Sequence, residues 1–174
     1  MNNSSKIIAL IGGLHIQDHE FFYPKYRLSE ESGIVVKVAT PDNKETLSNK
    51  GSKILPDLAI EDLNAKDFSG VVMPGGAHAM EYLRRNTALV SFMKEMNNLE
   101  KIIASICQGG QIMISANIIK NRKFSAYYSI KDDVVNAGGI YTDEPSVIDK
   151  NIVSTAHYKD MGPWMKDFIK LINA

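Results

Sequence analysis

The sequence predicts an α/β protein, a three-layer sandwich in which helices cover both faces of a mostly parallel central sheet. Two observations predict it. Short apolar runs of strand length alternate along the chain with longer amphipathic stretches. The runs are rich in Ile and Val and apolar on both faces, as central strands of a parallel sheet are. Alternation of this kind arises from right-handed crossover units, which place helices on the two sides of the sheet.

The strands and helices follow one another from the N-terminus. The predicted strands are residues 7–11, 35–39, 71–73, 102–106 and 124–127. The predicted helices between them are residues 20–32, 81–98, 111–120 and 130–137. Gly33 and Gly138 follow the first and last of these helices as C-terminal caps. Pro24 predicts a kink or a late start in the first helix, and Thr87 is a predicted N-cap that divides residues 81–98 into two helices.

The C-terminal part of the chain predicts a β-hairpin and a last helix. Residues 146–148 and 152–155 flank the turn-forming segment Asp149-Lys150-Asn151. The last helix covers residues 162–172 and carries an apolar stripe on one face. That stripe consists of Trp164, Met165, Phe168, Ile169 and Ile172.

Composition limits the classes of function. The 174 residues suit one domain, residues 1–174. Lys and Arg together number 20, as do Asp and Glu, so the chain lacks the basic surplus of a nucleic-acid-binding protein. No apolar run approaches the roughly 18 residues that cross a membrane. The single cysteine, Cys107, excludes an intrachain disulfide and fits a reducing, cytoplasmic location.

Cys107 lies where a strand runs directly into a helix. The small residues Ser105 and Gly109 stand two positions before and after it. This is the pattern of a nucleophile elbow, in which the reactive side chain occupies a sharp strand-to-helix turn. The N–H groups of the following helix are expected to stabilise a thiolate and lower its pKa. The alternative interpretation is a buried structural cysteine.

A second loop is expected to face the same crevice, because ligands bind outside the carboxyl ends of parallel strands. It follows the strand at residues 71–73, and the N–H groups of Gly75 and Gly76 are candidate oxyanion donors. Tyr127 ends a predicted strand and is a candidate pocket wall, and His157 follows the hairpin as a candidate proton carrier or substrate contact.

No metal or cofactor site is predicted. His15 and His19 have the spacing of zinc-binding helices, but their segment begins as a loop and offers no third ligand.

The motifs together resemble the ThiJ/PfpI superfamily, within the class I glutamine-amidotransferase-like fold, and most closely its PfpI-type branch. The resemblance covers residues 6–171. Its most specific parts are Val72-Met73-Pro74-Gly75-Gly76, Ala104-Ser105-Ile106-Cys107-Gln108-Gly109 and Gln111-Ile112-Met113-Ile114-Ser115-Ala116. The resemblance implies a flavodoxin-like sandwich with Cys107 at the elbow. It also implies a homodimer, which PfpI types can stack into hexamers.

Two departures from the family pattern concern the chemistry. The residue after the cysteine is Gln108 where this branch typically has histidine. The family's glutamate, which comes from the loop after the first strand and hydrogen-bonds the sulfur, is expected to correspond to Gln17. An amide side chain can donate a hydrogen bond but cannot act as a general base at neutral pH. Peptide cleavage by a Cys–His pair is therefore not expected.

Three functional hypotheses follow. The first is a cysteine-dependent hydrolase, hydratase or lyase that acts on an amide, imine, aldehyde or isonitrile carbon of a small metabolite. In it Cys107 is the nucleophile, and Gln17 and Gln108 orient the reacting groups, while His78, His157, Tyr127, Asp18 or water carries the proton. The alternative is a thiol-based sensor of oxidative stress, or a stress protein with deglycase or glyoxalase III-like activity. The third is a small-ligand or partner-binding remnant without chemistry.

Overall fold

The computed structural model describes residues 5–174 and contains the predicted alternation of strands and helices; residues 1–4 of the predicted domain lie outside the described residues. The strands are β1 (Lys6–Ile11), β2 (Ile34–Thr40), β3 (Thr46–Leu47), β4 (Lys53–Ile54), β5 (Leu58–Ala59), β6 (Gly70–Met73), β7 (Ile102–Ile106), β8 (Lys123–Phe124), β9 (Ile140–Tyr141), β10 (Val147–Asp149) and β11 (Ile152–Thr155). The helices are α1 (Asp18–Ser29), α2 (Ala77–Leu83), α3 (Thr87–Asn98), α4 (Gly110–Ser115), α5 (Lys131–Asn136) and α6 (Met161–Ile172).

A seven-stranded sheet forms the centre of the fold. Its strand order is β10-β11-β7-β6-β1-β2-β5, and every pair is parallel except the edge hairpin of β10 and β11. Helices α1 and α6 contact each other and the sheet, while α3 and α4 contact each other and β7. The predicted α/β sandwich with a mostly parallel sheet is thus confirmed, and so is the hairpin.

Helix α6 shows why the chain folds onto this sheet. All five residues of its predicted apolar stripe are buried, because an amphipathic helix stabilises the fold by removing that stripe from water. Trp164 also satisfies its one polar group, since its ring N–H donates to the Val153 carbonyl at 3.2 Å.

The predicted strand at residues 124–127 is wrong in extent and place. Only Lys123–Phe124 is extended, and it pairs with β9 in a separate two-stranded sheet. β11 takes the position beside β7 in the central sheet. Phe124 and Ala126 instead pack around Gly110, where their apolar side chains are fully buried.

Helix boundaries also differ from the predictions at particular residues. Helix α1 begins at Asp18, so Pro24 lies in its interior. Asn86, not Thr87, caps α3, since its side-chain oxygen accepts from the Leu89 N–H at 3.0 Å. Helix α4 ends at Ser115, well short of residue 120, and Asn117 follows in the left-handed conformation (φ 56°) that commonly ends a helix.

The carboxyl ends of β1, β6 and β7, adjacent in the sheet, bring three loops to one edge. The loop after β1 leads to α1, the loop after β6 contains Gly75 and Gly76, and β7 leads directly to Cys107. The segment after β11, with His157, reaches the same edge. The fold therefore assembles at one place the segments that the sequence marks separately.

Candidate active site

Cys107 occupies a strained elbow at the end of β7. Its φ of 58° lies in the left-handed region, which non-glycine residues rarely adopt. The preceding Ile106 is extended, and the following residues turn directly into α4. The Cys107 side chain is buried, with 9% of the residue exposed. Backbone strain of this kind persists where the surrounding structure enforces it and is concentrated at functional sites. The predicted elbow geometry is present.

The small residue at position 109 is required by close backbone contacts. A Cβ on Gly109 would lie 2.6 Å from the Met73 carbonyl oxygen and 2.9 Å from that of Pro74. Both neighbours are backbone atoms, at the end of β6 and the start of the loop that follows it, so neither can rotate away. The absence of a side chain lets the elbow approach the loop that carries Gly75 and Gly76.

Replacing Gly109 with alanine is expected to destabilise the protein by roughly 1–3 kcal/mol, the usual cost of overpacking. Chemical denaturation measures the change. Gly162→Ala is the matched control, because nothing lies within 4 Å of a Cβ there and the position is in helix α6. That control should gain roughly 0.5–1 kcal/mol from reduced freedom of the unfolded chain. Equal effects of the two substitutions would contradict the packing argument.

Glu20 is the ionisable partner of the cysteine. Its side chain is buried, with 1% of the residue exposed, and its Oε2 accepts a hydrogen bond from the Gly75 N–H at 2.8 Å. The Glu20 carboxyl also shares a hydrogen bond with the Cys107 thiol. A buried carboxyl is retained in a fold only with partners of this kind. Helix α1 thus places an ionisable carboxyl directly beside the Cys107 thiol.

The protonation of this pair is governed by burial. Burial raises the pKa of Glu20 from 4.5 to about 7, and the hydrogen bonds from Gly75 and Cys107 oppose part of that rise. Burial and then the Glu20 charge raise the pKa of the Cys107 thiol, against the effect of the Gln108 and Gly76 N–H groups. The predicted lowering of the thiol pKa is therefore wrong, and burial is the main reason. Glu20, with a pKa of about 7, can take up or release a proton near neutral pH.

Gln17 does not occupy the position expected of it. Its side-chain oxygen is the N-cap of α1, accepting from the His19 N–H at 2.6 Å and the Glu20 N–H at 3.3 Å. That oxygen is engaged in the cap, while Glu20, three residues later, reaches the sulfur. The prediction that glutamine replaces the carboxylate beside the cysteine is wrong. Gln17 borders the cavity and fixes the start of the helix that carries Glu20.

The backbone donors also differ from the predicted pair. The Gly75 N–H is bonded to Glu20, so it is not available as an oxyanion donor. The N–H groups of Gly76 and Gln108 both point to the sulfur of Cys107. These two are the donors that could stabilise negative charge on the sulfur or on an oxygen bonded beside it. The Gln108 side chain borders the cavity and its amide donates to the Ser129 hydroxyl at 3.4 Å.

A cavity of about 480 Å³ opens over Cys107 and Glu20. Tyr127 and His157, both predicted at the site, line it. A hydrogen bond with Tyr128, together with burial, raises the pKa of the Tyr127 hydroxyl to about 12, so Tyr127 stays protonated at neutral pH. His157 Nδ1 accepts from the Lys159 N–H at 3.2 Å, which leaves Nε2 as the donor of a neutral ring.

Three histidines and two tyrosines belong to the lining of this cavity. Besides His157, the lining includes His15 and His78, whose rings stack with centroids 4.4 Å apart and planes 8° from parallel. His15 therefore pairs with His78, not with His19, which contacts Tyr158 instead. Among residues 5–174, no three His, Cys, Asp or Glu side chains are grouped as a metal site would require. The lining contains no lysine or arginine.

The fold, the elbow and the buried carboxyl can now be compared with known proteins. The family model described as "DJ-1/PfpI family" matches residues 5–171. The chain belongs to the DJ-1/PfpI family. Deglycase PfpI of Pyrococcus furiosus is 36% identical over 165 residues, which are 95% of this chain and 98% of the relative. Protein/nucleic acid deglycase 2 of Escherichia coli is 30% identical over 172 residues, 98% of this chain and 99% of the relative.

A solved structure gives the same fold for this DJ-1/PfpI chain. The two-domain protein from Anabaena variabilis, with DJ-1/ThiJ/PfpI-like and ferritin-like domains, superposes with a TM-score of 0.93 at 26% identity. The match covers 97% of this chain and 48% of that one, so this chain spans about half of the two-domain protein. In the described part of the DJ-1/PfpI chain, residues 5–174, every helix is too short or too polar to span a bilayer.

The position of Glu20 can be predicted from the sequence, although the family resemblance assigns the place of the carboxylate to Gln17. Glu20, Pro24 and Leu28 are spaced by four residues and all three are buried. The predicted helix over residues 20–32 already places the Glu20 carboxylate on the same face as Pro24 and Leu28. A charged residue on a buried helix face is the signal that a functional group lies there. His15, Asn49 and Tyr158 carry no such pattern and are brought to the cavity by loops.

Proposed function

We propose that this DJ-1/PfpI protein is a deglycase with Cys107 as nucleophile and Glu20 as proton carrier. Its substrates would be small 2-oxoaldehydes and the adducts that these form with amines. The observation that carries the proposal is the buried Glu20 carboxyl, with a pKa of about 7, hydrogen-bonded to the Cys107 thiol. The name deglycase, which both of the relatives described above bear, supports the same class of reaction.

The first step is formation of a carbon–sulfur bond. With a free 2-oxoaldehyde, the Cys107 sulfur adds to the aldehyde carbon while Glu20 takes the thiol proton. The proton then passes to the aldehyde oxygen and leaves a hemithioacetal. With an amine adduct, the sulfur displaces the amine from the same carbon, so that the C–N bond breaks and the thiol proton leaves on the amine. Both routes give one hemithioacetal on Cys107.

The second step moves hydrogen between two carbons without a net change of oxidation state. Glu20 removes the proton from the hemithioacetal carbon, and an enediol forms with the neighbouring ketone. Returning a proton to the second carbon yields the thioester of a 2-hydroxy acid. Water then cleaves the C–S bond, releases the 2-hydroxy acid and restores the thiol. The sum is 2-oxoaldehyde plus water to 2-hydroxy acid.

The other groups of the site are compatible with these reaction steps. The Gly76 and Gln108 N–H groups are directed at the sulfur, beside which the substrate oxygen would develop negative charge. His157, whose Nδ1 accepts from the Lys159 N–H, lines the same cavity and can present Nε2 to a substrate. A cavity with no lysine or arginine suits an uncharged aldehyde better than a phosphorylated or carboxylated substrate.

Two other hypotheses from the sequence gain less support. Peptide cleavage needs a base that activates the thiol and then protonates an amine leaving group, and no histidine is hydrogen-bonded to Cys107 in residues 5–174. A thiol sensor needs an exposed, readily ionised cysteine, whereas Cys107 is 9% exposed and the pKa of its thiol is raised. The proposal includes a cytoplasmic location, because a reducing compartment keeps Cys107 a thiol.

Incubation with methylglyoxal tests the proposed function. Wild-type protein should convert it to lactate, measured by proton NMR in D₂O, with deuterium entering the carbon next to the carboxylate if the Glu20 proton exchanges with solvent. Rapid acid quenching and mass spectrometry should detect one covalent adduct on Cys107. Cys107→Ala protein should give neither lactate nor adduct. Lactate formation by Cys107→Ala protein, or none by the wild type, would overturn the proposal.

A further inference from the structure

A second, smaller cavity adjoins the one over Cys107. It has a volume of about 220 Å³ and shares two wall residues, Tyr127 and His157, with the larger cavity. The rings of these two residues lie 6.2 Å apart between centroids and 28° from parallel. Independent small-molecule sites usually have about 300–1,000 Å³. The smaller cavity is therefore better regarded as an extension of the Cys107 cavity across one shared wall.

Unpaired charges of both signs line this second cavity. Asp143, Lys159 and Asp160 all belong to its lining. In the part of the chain that the structure describes, none of the three takes part in an ion pair within 4 Å. Asp143 and Lys159 are exposed and Asp160 is half-buried, so water solvates these charges in the free protein. Here they are left as separate anionic and cationic positions.

The surrounding residues agree with this arrangement. Burial and the Asp143 charge raise the pKa of Tyr141, which places that carboxylate near the Tyr141 ring at the cavity. Lys131 lies 5.7 Å above the same ring but is not part of the lining. The tyrosine rings add faces that attract cations. The Cys107 cavity differs, since its lining has neither lysine nor arginine, and Glu20 is the one carboxyl residue in that lining.

We propose that the second cavity binds the zwitterionic head group of a free amino acid, with the ammonium at Asp143 and Asp160 and the carboxylate at Lys159. The proposal rests on the proposed deglycase function, because the modified side chain of the same amino acid would extend past Tyr127 and His157 to Cys107. It identifies the substrate class as adducts of free amino acids rather than adducts within a protein chain. In a protein both head-group charges are lost to peptide bonds.

A binding experiment tests the second cavity without requiring turnover. Isothermal titration calorimetry is performed on Cys107→Ala protein with L-arginine and with Nα-acetyl-L-arginine amide, whose head group carries no charge. L-Arginine should bind about tenfold tighter or more, as expected for loss of charge-assisted contacts. In Cys107→Ala protein that also carries Asp143→Asn and Asp160→Asn, or Lys159→Gln, the preference should fall to about twofold or less.

The control is Asp62→Asn in the same background. Asp62 is exposed and follows β5 at the opposite edge of the sheet, so the preference should persist there. Equal binding of the two ligands in the parent protein, or a preference that survives both sets of charge changes, would overturn the proposal. Thermal unfolding of each variant verifies that the fold is kept.

This result and the methylglyoxal result can fail separately. A head-group preference without lactate formation would leave the second cavity as an amino-acid site and reject only the deglycase chemistry. Lactate formation that depends on Cys107, without a head-group preference, would reject only the amino-acid site.

Discussion

Glu20→Gln protein is expected to lose roughly 10²–10⁴-fold in kcat for methylglyoxal, the usual contribution of a positioned general acid–base group. The substitution keeps the size and most hydrogen bonds of the side chain. An amide oxygen can still accept from the Gly75 N–H, and the amide NH₂ can donate to the sulfur. Only the ability to take and return a proton is lost. A large drop in kcat with an intact fold would therefore report proton transfer, not misplacement of Cys107.

The pH profile gives the second signature of Glu20. As a base, Glu20 must be ionised, so kcat/KM of the wild type should rise with pH through about 7, the value to which burial raises its pKa. That limb should be absent from the Glu20→Gln profile. Glu30→Gln is the matched control, because Glu30 is exposed at the end of the same helix and makes only a 3.7 Å surface contact with Arg27. Unchanged kcat in Glu20→Gln protein, or an unchanged limb near pH 7, would rule out the assigned role.

The same substitution is expected to stabilise the protein at alkaline pH. The folded-state pKa of Glu20 is raised from 4.5 to about 7, so the folded protein binds this proton more tightly than the unfolded chain does. Stability linked to Glu20 is fully present below about pH 4.5 and is lost as pH rises through about 7. Above pH 7 the ionised, buried carboxylate costs about 3 kcal/mol relative to a neutral side chain.

Denaturant unfolding at several pH values measures this cost. Subtracting the free energy of unfolding of the wild type from that of Glu20→Gln protein cancels the titration of all other groups. The difference should rise between pH 4.5 and 8 by about 3 kcal/mol and level off above that range. A difference that does not vary with pH would show that Glu20 has an ordinary pKa in the folded protein. Such a result would also remove the physical basis of its role as a base at neutral pH.

Burial of Glu20 destabilises the folded protein at alkaline pH and also gives this carboxyl a pKa suited to proton transfer. A carboxyl with an ordinary pKa would be ionised at neutral pH and would be a poor proton donor. Burial raises the pKa of Glu20 so that this carboxyl can both accept and donate a proton near neutral pH. The cost is moderated by the Gly75 N–H, whose predicted role was to hold a substrate oxygen. Gly75 must lack a side chain for this purpose, because a Cβ would lie 2.8 Å from Glu20 Oε2 and 2.9 Å from the Cys107 Cβ.

The sequence by itself determined the architecture and the elbow at Cys107. Apolar runs in alternation with amphipathic stretches predict a parallel sheet covered by helices. The apolar runs bury both of their faces as central strands, and the amphipathic stretches bury their apolar faces as helices packed on the sheet. The elbow is equally local: a strand, a cysteine between small residues and a helix occupy adjacent positions in the chain. The apolar stripe of α6 was predicted residue by residue for the same reason, since helical periodicity alone decides which side chains share a face.

Only the tertiary structure decided which partner meets the cysteine. Gln17 and Glu20 lie three residues apart, and their roles depend on where α1 begins and how it packs, which places the Gln17 oxygen on the helix cap and the Glu20 carboxyl on the sulfur. The prediction of a central strand at residues 124–127 is wrong for a similar reason, because β11 occupies the place beside β7. The joint wall of Tyr127 and His157 comes from segments about thirty residues apart in the sequence. Contacts between distant segments depend on packing, and local pattern does not encode them.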